Sequence, residues 1–218
     1  MLLKYIDLFL ALDEYPREVA TPFGFRTRYV CNYLERRVRA LKFKTANLNK
    51  ICVRGCHNPG DECPIVSDAS AVPSVRFDED AYAKLGEDEQ HEFFIAMLSE
   101  GFAKCARVHS IPREELARYI NEFRGDGYRN AWTHGSFRLD RDGLVALLHC
   151  RLDPAKFVLQ LELRRAGTTI FDQSILETLP DETIFAYRFK DVVLADDSIV
   201  VRSKFDKPTF TLPLLGLP

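Results

Sequence analysis

The sequence has no apolar run approaching the roughly 20 residues that cross a bilayer as a helix, and only one tryptophan and two methionines among its 218 residues. It also lacks an excess of either charge. Thirty Lys and Arg stand against 32 Asp and Glu, for a net charge of −2. General binders of nucleic acid or anionic membrane are ordinarily basic, so neither class is favoured. The short catalytic motifs are missing as well. Gly-x-Gly occurs at Gly125 and Gly127 without the third glycine or preceding strand of a phosphate loop. His134-Gly135-Ser136 runs on into Phe137-Arg138, where a nucleophile elbow needs Gly-x-Ser-x-Gly. His91-Glu92 opens like a zinc-protease helix, but Ile95 stands where the second histidine is required. No repeat of helical-array or propeller length is present.

What remains is ordinary globular material. The chain is 46% apolar and 28% charged, which excludes disorder and low complexity. A chain of this length buries enough surface for a core without disulfide staples. Six cysteines (Cys31, Cys52, Cys56, Cys63, Cys105, Cys150) are spread thinly, as expected for reduced thiols in a cytoplasmic protein. The N-terminus imitates a signal peptide until Asp7 interrupts the apolar run and Asp13-Glu14 occupies the cleavage region.

Periodicity gives the elements. Leu2, Ile6, Phe9 and Leu10 at helical spacing predict an amphipathic helix. A loop holding Pro16, Pro22 and Gly24 then leads to a second helix, with Tyr29, Val30, Tyr33, Leu34, Val38 and Leu41 on one face. Its other face carries Arg26, Arg28, Arg36, Arg37, Arg39 and Lys42, and a strand after Arg37 is the alternative. Residues 45–76 read as a Cys/Pro/Gly-rich loop with one strand near 50–54. Phe94, Met97, Leu98, Phe102, Cys105 and Val108 mark a long helix. Ser110-Ile-Pro starts another, with Leu116, Tyr119, Ile120 and Phe123 buried. After Trp132, expected in the core, the period falls to 2. Turns at Asp140-Arg-Asp-Gly143, Asp153-Pro154, Gly167, 179–182 and Asp196-Asp197 divide strands that include 183–190 and 198–204. The expected fold is α+β. A single domain over 1–218 has a mainly helical part at 1–127, whose N-terminal helices and helical pair pack on an antiparallel β-meander at 128–218.

Two clusters raise the question of chemistry. Cys52, Cys56, His57 and Cys63 form a zinc-like ligand set, but the spacing departs from structural zinc sites, and adjacent Cys56 and His57 converge poorly on one tetrahedral ion. No metal, cofactor or catalytic residue is therefore assigned. The charge distribution carries more. Residues 1–50 hold ten Lys/Arg against five Asp/Glu, while residues 61–100 hold eleven Asp/Glu against Arg76 and Lys84. Asp78, Glu79, Asp80, Glu87, Asp88, Glu89 and Glu92 are the candidate partner-binding residues, since an acidic surface accelerates encounter with a basic protein. The competing explanation is a solvated helix face with first-turn acids.

Tyr128-Arg-Asn-Ala-Trp132, the 137–148 hairpin, Leu152-Asp-Pro-Ala-Lys-Phe157 and Ile175-Leu-Glu-Thr-Leu-Pro180 together resemble bacterial immunity proteins that neutralise polymorphic toxins. The resemblance implies a non-enzymatic cytosolic protein that binds one toxin domain, a basic one given the acidic stretch, and blocks its active site. Such proteins diverge with their toxins, so no residue role carries over. The alternatives are a small enzyme or toxin domain using His134, Asp140 and His149, and a nucleic-acid-binding regulator using the basic segment 26–44.

Overall fold

The computed structural model describes residues 1–66, 69–139 and 143–215. It is α+β, and the chain divides into two compact units, Met1–Asn130 and Ala131–Pro218.

The first unit begins with a strand where a helix was expected. In β1 (Tyr5–Leu10) the buried residues are Ile6, Leu8 and Leu10, a period of 2 that the helical spacing of Leu2, Ile6 and Leu10 had concealed. β1 pairs in parallel with β2 (Lys50–Cys56), from Tyr5 opposite Lys50 to Leu10 opposite Gly55. Between them runs one 25-residue helix, α1 (Arg17–Leu41), continuous through Pro22 and Gly24, where a loop was expected. Helix α1 ends at Lys42, whose φ of 53° turns the chain out of the helix. The parallel β–α–β arrangement explains the failed helix assignment. A strand covered by a helix shows short apolar runs that periodicity alone does not resolve.

Three short strands, β3 (Ile65–Val66), β4 (Ser70–Ala71) and β5 (Ser74–Arg76), complete this sheet within the stretch expected to be mostly loop. β4 and β5 both lie parallel to β2, and β3 pairs antiparallel with β4. A one-turn helix α2 (Glu79–Tyr82), the long α3 (Glu87–Val108) and α4 (Arg113–Gly125) follow. The expected α3 stripe is buried except for Val108, and α4 buries Leu116, Tyr119, Ile120 and Phe123 as its spacing indicates. Gly101 lets α3 close on the sheet: a Cβ there would come within 2.5 Å of a Val53 methyl. Helices of this unit thus cover a largely parallel sheet of their own, which the expectation of a single meander had missed.

The second unit is the expected meander. β6 (Asn130–Leu139), β7 (Leu144–Leu152), β8 (Phe157–Arg165) and β9 (Thr168–Thr178) lie in that order in one sheet. The turn at Asp140 and Asp142 falls outside the described residues. The expected strand at 183–190 is instead a one-turn helix α5 (Glu182–Phe185), capped by the Asp181 side chain accepting from Thr183 N–H, with irregular chain after it. A second sheet joins β10 (Asp191–Ala195), β11 (Ser198–Arg202) and β12 (Pro208–Pro213). Asp196 and Asp197 make the tight β10–β11 turn, both with positive φ, as acidic turn residues tolerate. The buried Phe157 ring lies parallel to those of Phe185 and Phe189, at 3.8 and 5.6 Å. Trp132 is only half-buried, 6.2 Å from Phe157, because it lies on an edge strand.

Candidate functional site

The acidic stretch occupies the starts of α2 and α3, and its seven carboxylates do different jobs. Asp78 caps α2, accepting from Ala81 N–H at 3.0 Å. Glu89 reaches back to Gly86 N–H at 2.9 Å and closes the first turn of α3. Glu92 is clamped by the Arg124 guanidinium at 2.8 and 2.7 Å, and the Tyr128 hydroxyl donates to it at 2.8 Å. The Arg124 hydrogen bonds, with help from Tyr128, hold the Glu92 carboxyl below the usual range. Glu79, Asp80, Glu87 and Asp88 are different: all four are exposed, and none has an ion-pair partner among the described residues. The candidate surface therefore narrows from seven acids to four.

His91 anchors the base of this surface. Its Nδ1 hydrogen-bonds the buried Tyr29 hydroxyl, and its ring stacks on Tyr128 at 4.5 Å. Burial lowers the His91 pKa, although Asp88, Glu87 and Glu92 pull it the other way. Burial thus disfavours the charged imidazole, which would otherwise offset the nearby acids. The clamp by Arg124 and Tyr128 went unforeseen because its members lie 32 and 36 residues from Glu92. No local spacing signals such a pair.

The basic face of α1 is largely committed within the unit. Arg28 bonds the Ile6 carbonyl and Asp7, at 3.3 and 3.0 Å. Arg39 donates to the Lys4 carbonyl at 2.9 Å and to Glu35 at 3.0 Å. Glu35 accepts from Ile6 N–H at 3.1 Å, and Thr27 donates to the Leu8 carbonyl at 2.9 Å. These side chains bond the Ile6 N–H and the Ile6 and Leu8 carbonyls of β1, an edge strand that would otherwise offer more of a template for foreign strands. Arg36 holds Asn130 at 2.6 Å, and Arg37 lies by Tyr33 and Glu122. Arg26, Lys42 and Lys44 of the same basic segment are exposed and take no part in these bonds.

The cysteine cluster disperses. Cys52 and Cys56 are four residues apart on one extended strand, about 13 Å at strand rise, too far to share an ion. His57 turns to Glu14, with Nδ1 at 2.9 Å, and stacks on Tyr15. Cys63 lies instead against Cys105 of α3. No group of three metal-ligating side chains occurs among the described residues.

The histidine constellation disperses too. His134 packs edge-on against Phe189 and bonds the Lys190 carbonyl at 3.1 Å, on the Phe157 side of the second unit. His149 bonds Glu162 at 3.0 Å and Thr133 at 3.2 Å. Phe157 and Glu162 have opposite parity along β8 and so face opposite ways. The two histidines therefore stand on opposite faces of one sheet and form no dyad, and Asp140 lies outside the described residues.

Glu162 is itself a hub, 8% exposed. It accepts from Arg164 Nε at 2.7 Å and Thr169 Oγ1 at 2.7 Å, besides His149. Led by the Arg164 bond, these donors lower its pKa to about 2. A depressed carboxylate pKa gives stability that is complete above its unfolded value and lost as pH falls towards the folded one. Acid titration is thus expected to drain stability between about pH 4.5 and pH 2. Glu162→Gln should flatten that part of the curve in urea unfolding, and an unaltered curve would remove Glu162 from the acid response.

Comparison with protein-family models, with curated proteins and with solved structures yields no match for this chain.

Proposed function

We propose that this chain is a non-enzymatic binding protein whose acidic α2–α3 surface receives a basic protein, in the way an immunity protein receives the toxin domain it blocks. The observation that carries this reading is the set of four exposed carboxylates, Glu79, Asp80, Glu87 and Asp88, none of them in an ion pair among the described residues. Four exposed, unpaired charges cost solvated helix starts little, and they raise the encounter rate with a cationic partner. The 128–180 resemblance to immunity proteins supports the same reading. The commitment of Arg28, Arg36, Arg37 and Arg39 to internal bonds leaves fewer cations for a nucleic-acid partner on α1.

The test compares a tagged wild-type chain with a quadruple variant, Glu79→Lys, Asp80→Lys, Glu87→Lys and Asp88→Lys, leaving the structural Asp78, Glu89 and Glu92 in place. The wild type is expected to retain a basic protein from native lysate. Association of the variant with that protein should be slower by roughly tenfold at low salt, with the difference shrinking as salt rises. Circular dichroism should show both folded alike. Equal association rates at low salt would reduce the surface to a solvated face.

A further inference from the structure

All six cysteines are buried and none is in a disulfide, and two of the sulfurs meet. Cys63 Sγ lies 2.8 Å from Cys105 Sγ, across 42 residues of chain. The surroundings hold this meeting in place. Buried Lys104, beside Cys105 on α3, donates to the Gly60 carbonyl at 3.0 Å and to the Ser74 carbonyl at 2.8 Å. His109, one residue past α3, bonds the Cys63 carbonyl at 2.8 Å. Residues 57–64 are thus docked on α3 from both sides of the sulfur pair. Cys63 is 6% exposed, yet both sequence neighbours, Glu62 and Pro64, are exposed, so a small outward shift of the loop presents its sulfur to solvent.

We propose that Cys63 and Cys105 form a reversible dithiol–disulfide pair, oxidised by a small-molecule disulfide such as glutathione disulfide, that locks residues 57–64 onto α3. The Cys63 thiolate attacks one glutathione sulfur, breaking that S–S bond and releasing one glutathione thiolate, which takes up the proton Cys63 lost. Cys105 then gives up its proton and attacks Cys63 Sγ, and the second glutathione leaves as a thiol with that proton. Two cysteine thiols are oxidised to one disulfide, and one glutathione disulfide is reduced to two thiols. The order of attack follows from position: Cys63 lies between exposed Glu62 and Pro64, whereas Cys105 is fully buried on α3. The sulfur contact, in which either thiol can donate, favours the same order by lowering the pKa of Cys63 and raising that of Cys105. The other thiols have different surroundings: Cys52 and Cys56 are separated along β2, and burial raises the pKa of both.

The full chain is incubated with glutathione disulfide, and its free thiols are then counted under denaturing, non-reducing conditions. Two of the six are expected to disappear, to return on reduction, and to map to a Cys63–Cys105 linked peptide. Cys105→Ala should instead stop at a glutathione adduct on Cys63, which a purely packing role for these thiols would not produce. Retention of all six thiols, a bridge between any other pair, or an adduct on wild-type Cys63 that goes no further would each overturn the proposal. The wild-type count stands whether or not the variant folds.

Discussion

Replacing Glu35 with alanine is expected to destabilise the first unit by about 3 kcal/mol. The side chain is 7% exposed and joins three partners: the Ile6 N–H and the guanidinium groups of Arg28 and Arg39. The Arg39 pair contributes little, because that side chain is 47% exposed. Arg28 is only 15% exposed, so losing Glu35 takes one anionic partner from a largely desolvated cation, although Asp7 stays at 3.0 Å. The Ile6 N–H loses its acceptor at the same time. Glu35→Gln keeps an acceptor for Ile6 while removing the charge, so it should fall between wild type and alanine. Urea unfolding followed by circular dichroism gives the difference. A loss below about 1 kcal/mol would mean that water replaces the carboxylate at the β1 edge. The alanine variant should also aggregate more readily, because β1 then offers unpaired backbone groups at the sheet edge.

That prediction depends on an element the sequence disguised. Ile6, Leu8 and Leu10 alternate as a strand should, yet Leu2, Ile6 and Leu10 also fit a helix, and six residues are too few to separate the periods. Nor could the sequence show that Arg28, Glu35 and Arg39 face β1 rather than water. A charged stripe reads identically whether it faces solvent or a sheet edge. The stripes of α3 and α4 were legible because each spans several turns around one buried face. The meander was legible for a similar reason: Phe157, Leu159, Leu161 and Leu163 alternate through a whole strand. The acidic surface was visible as composition. Its division into capping, clamped and unpaired carboxylates required Gly86, Arg124 and Tyr128 in position. The meeting of Cys63 with Cys105 had no sequence signal, since a 42-residue separation carries no periodicity.

Phe157→Ala is expected to cost the second unit on the order of 4 kcal/mol. The ring is fully buried. It lies parallel to Phe185 at 3.8 Å and to Phe189 at 5.6 Å, so truncation leaves both neighbours facing a void. Those neighbours come from α5 and from the irregular chain before β10, while Phe157 opens β8. One ring therefore ties the segment linking the two sheets to the centre of the meander. The Phe189 ring also meets His134 edge-on, a contact that collapse of Phe189 into the void would disturb. Trp132→Ala is the natural comparison. Trp132 is larger but only half-buried on an edge strand, and its loss should cost about 1–2 kcal/mol. Hydrogen exchange resolves the two changes. Phe157→Ala should lower amide protection throughout β7 and β8, whereas Trp132→Ala should affect mainly β6. If the two variants melt together, the Phe157 stack contributes no more than its area, and the second unit is held by its aliphatic strands alone.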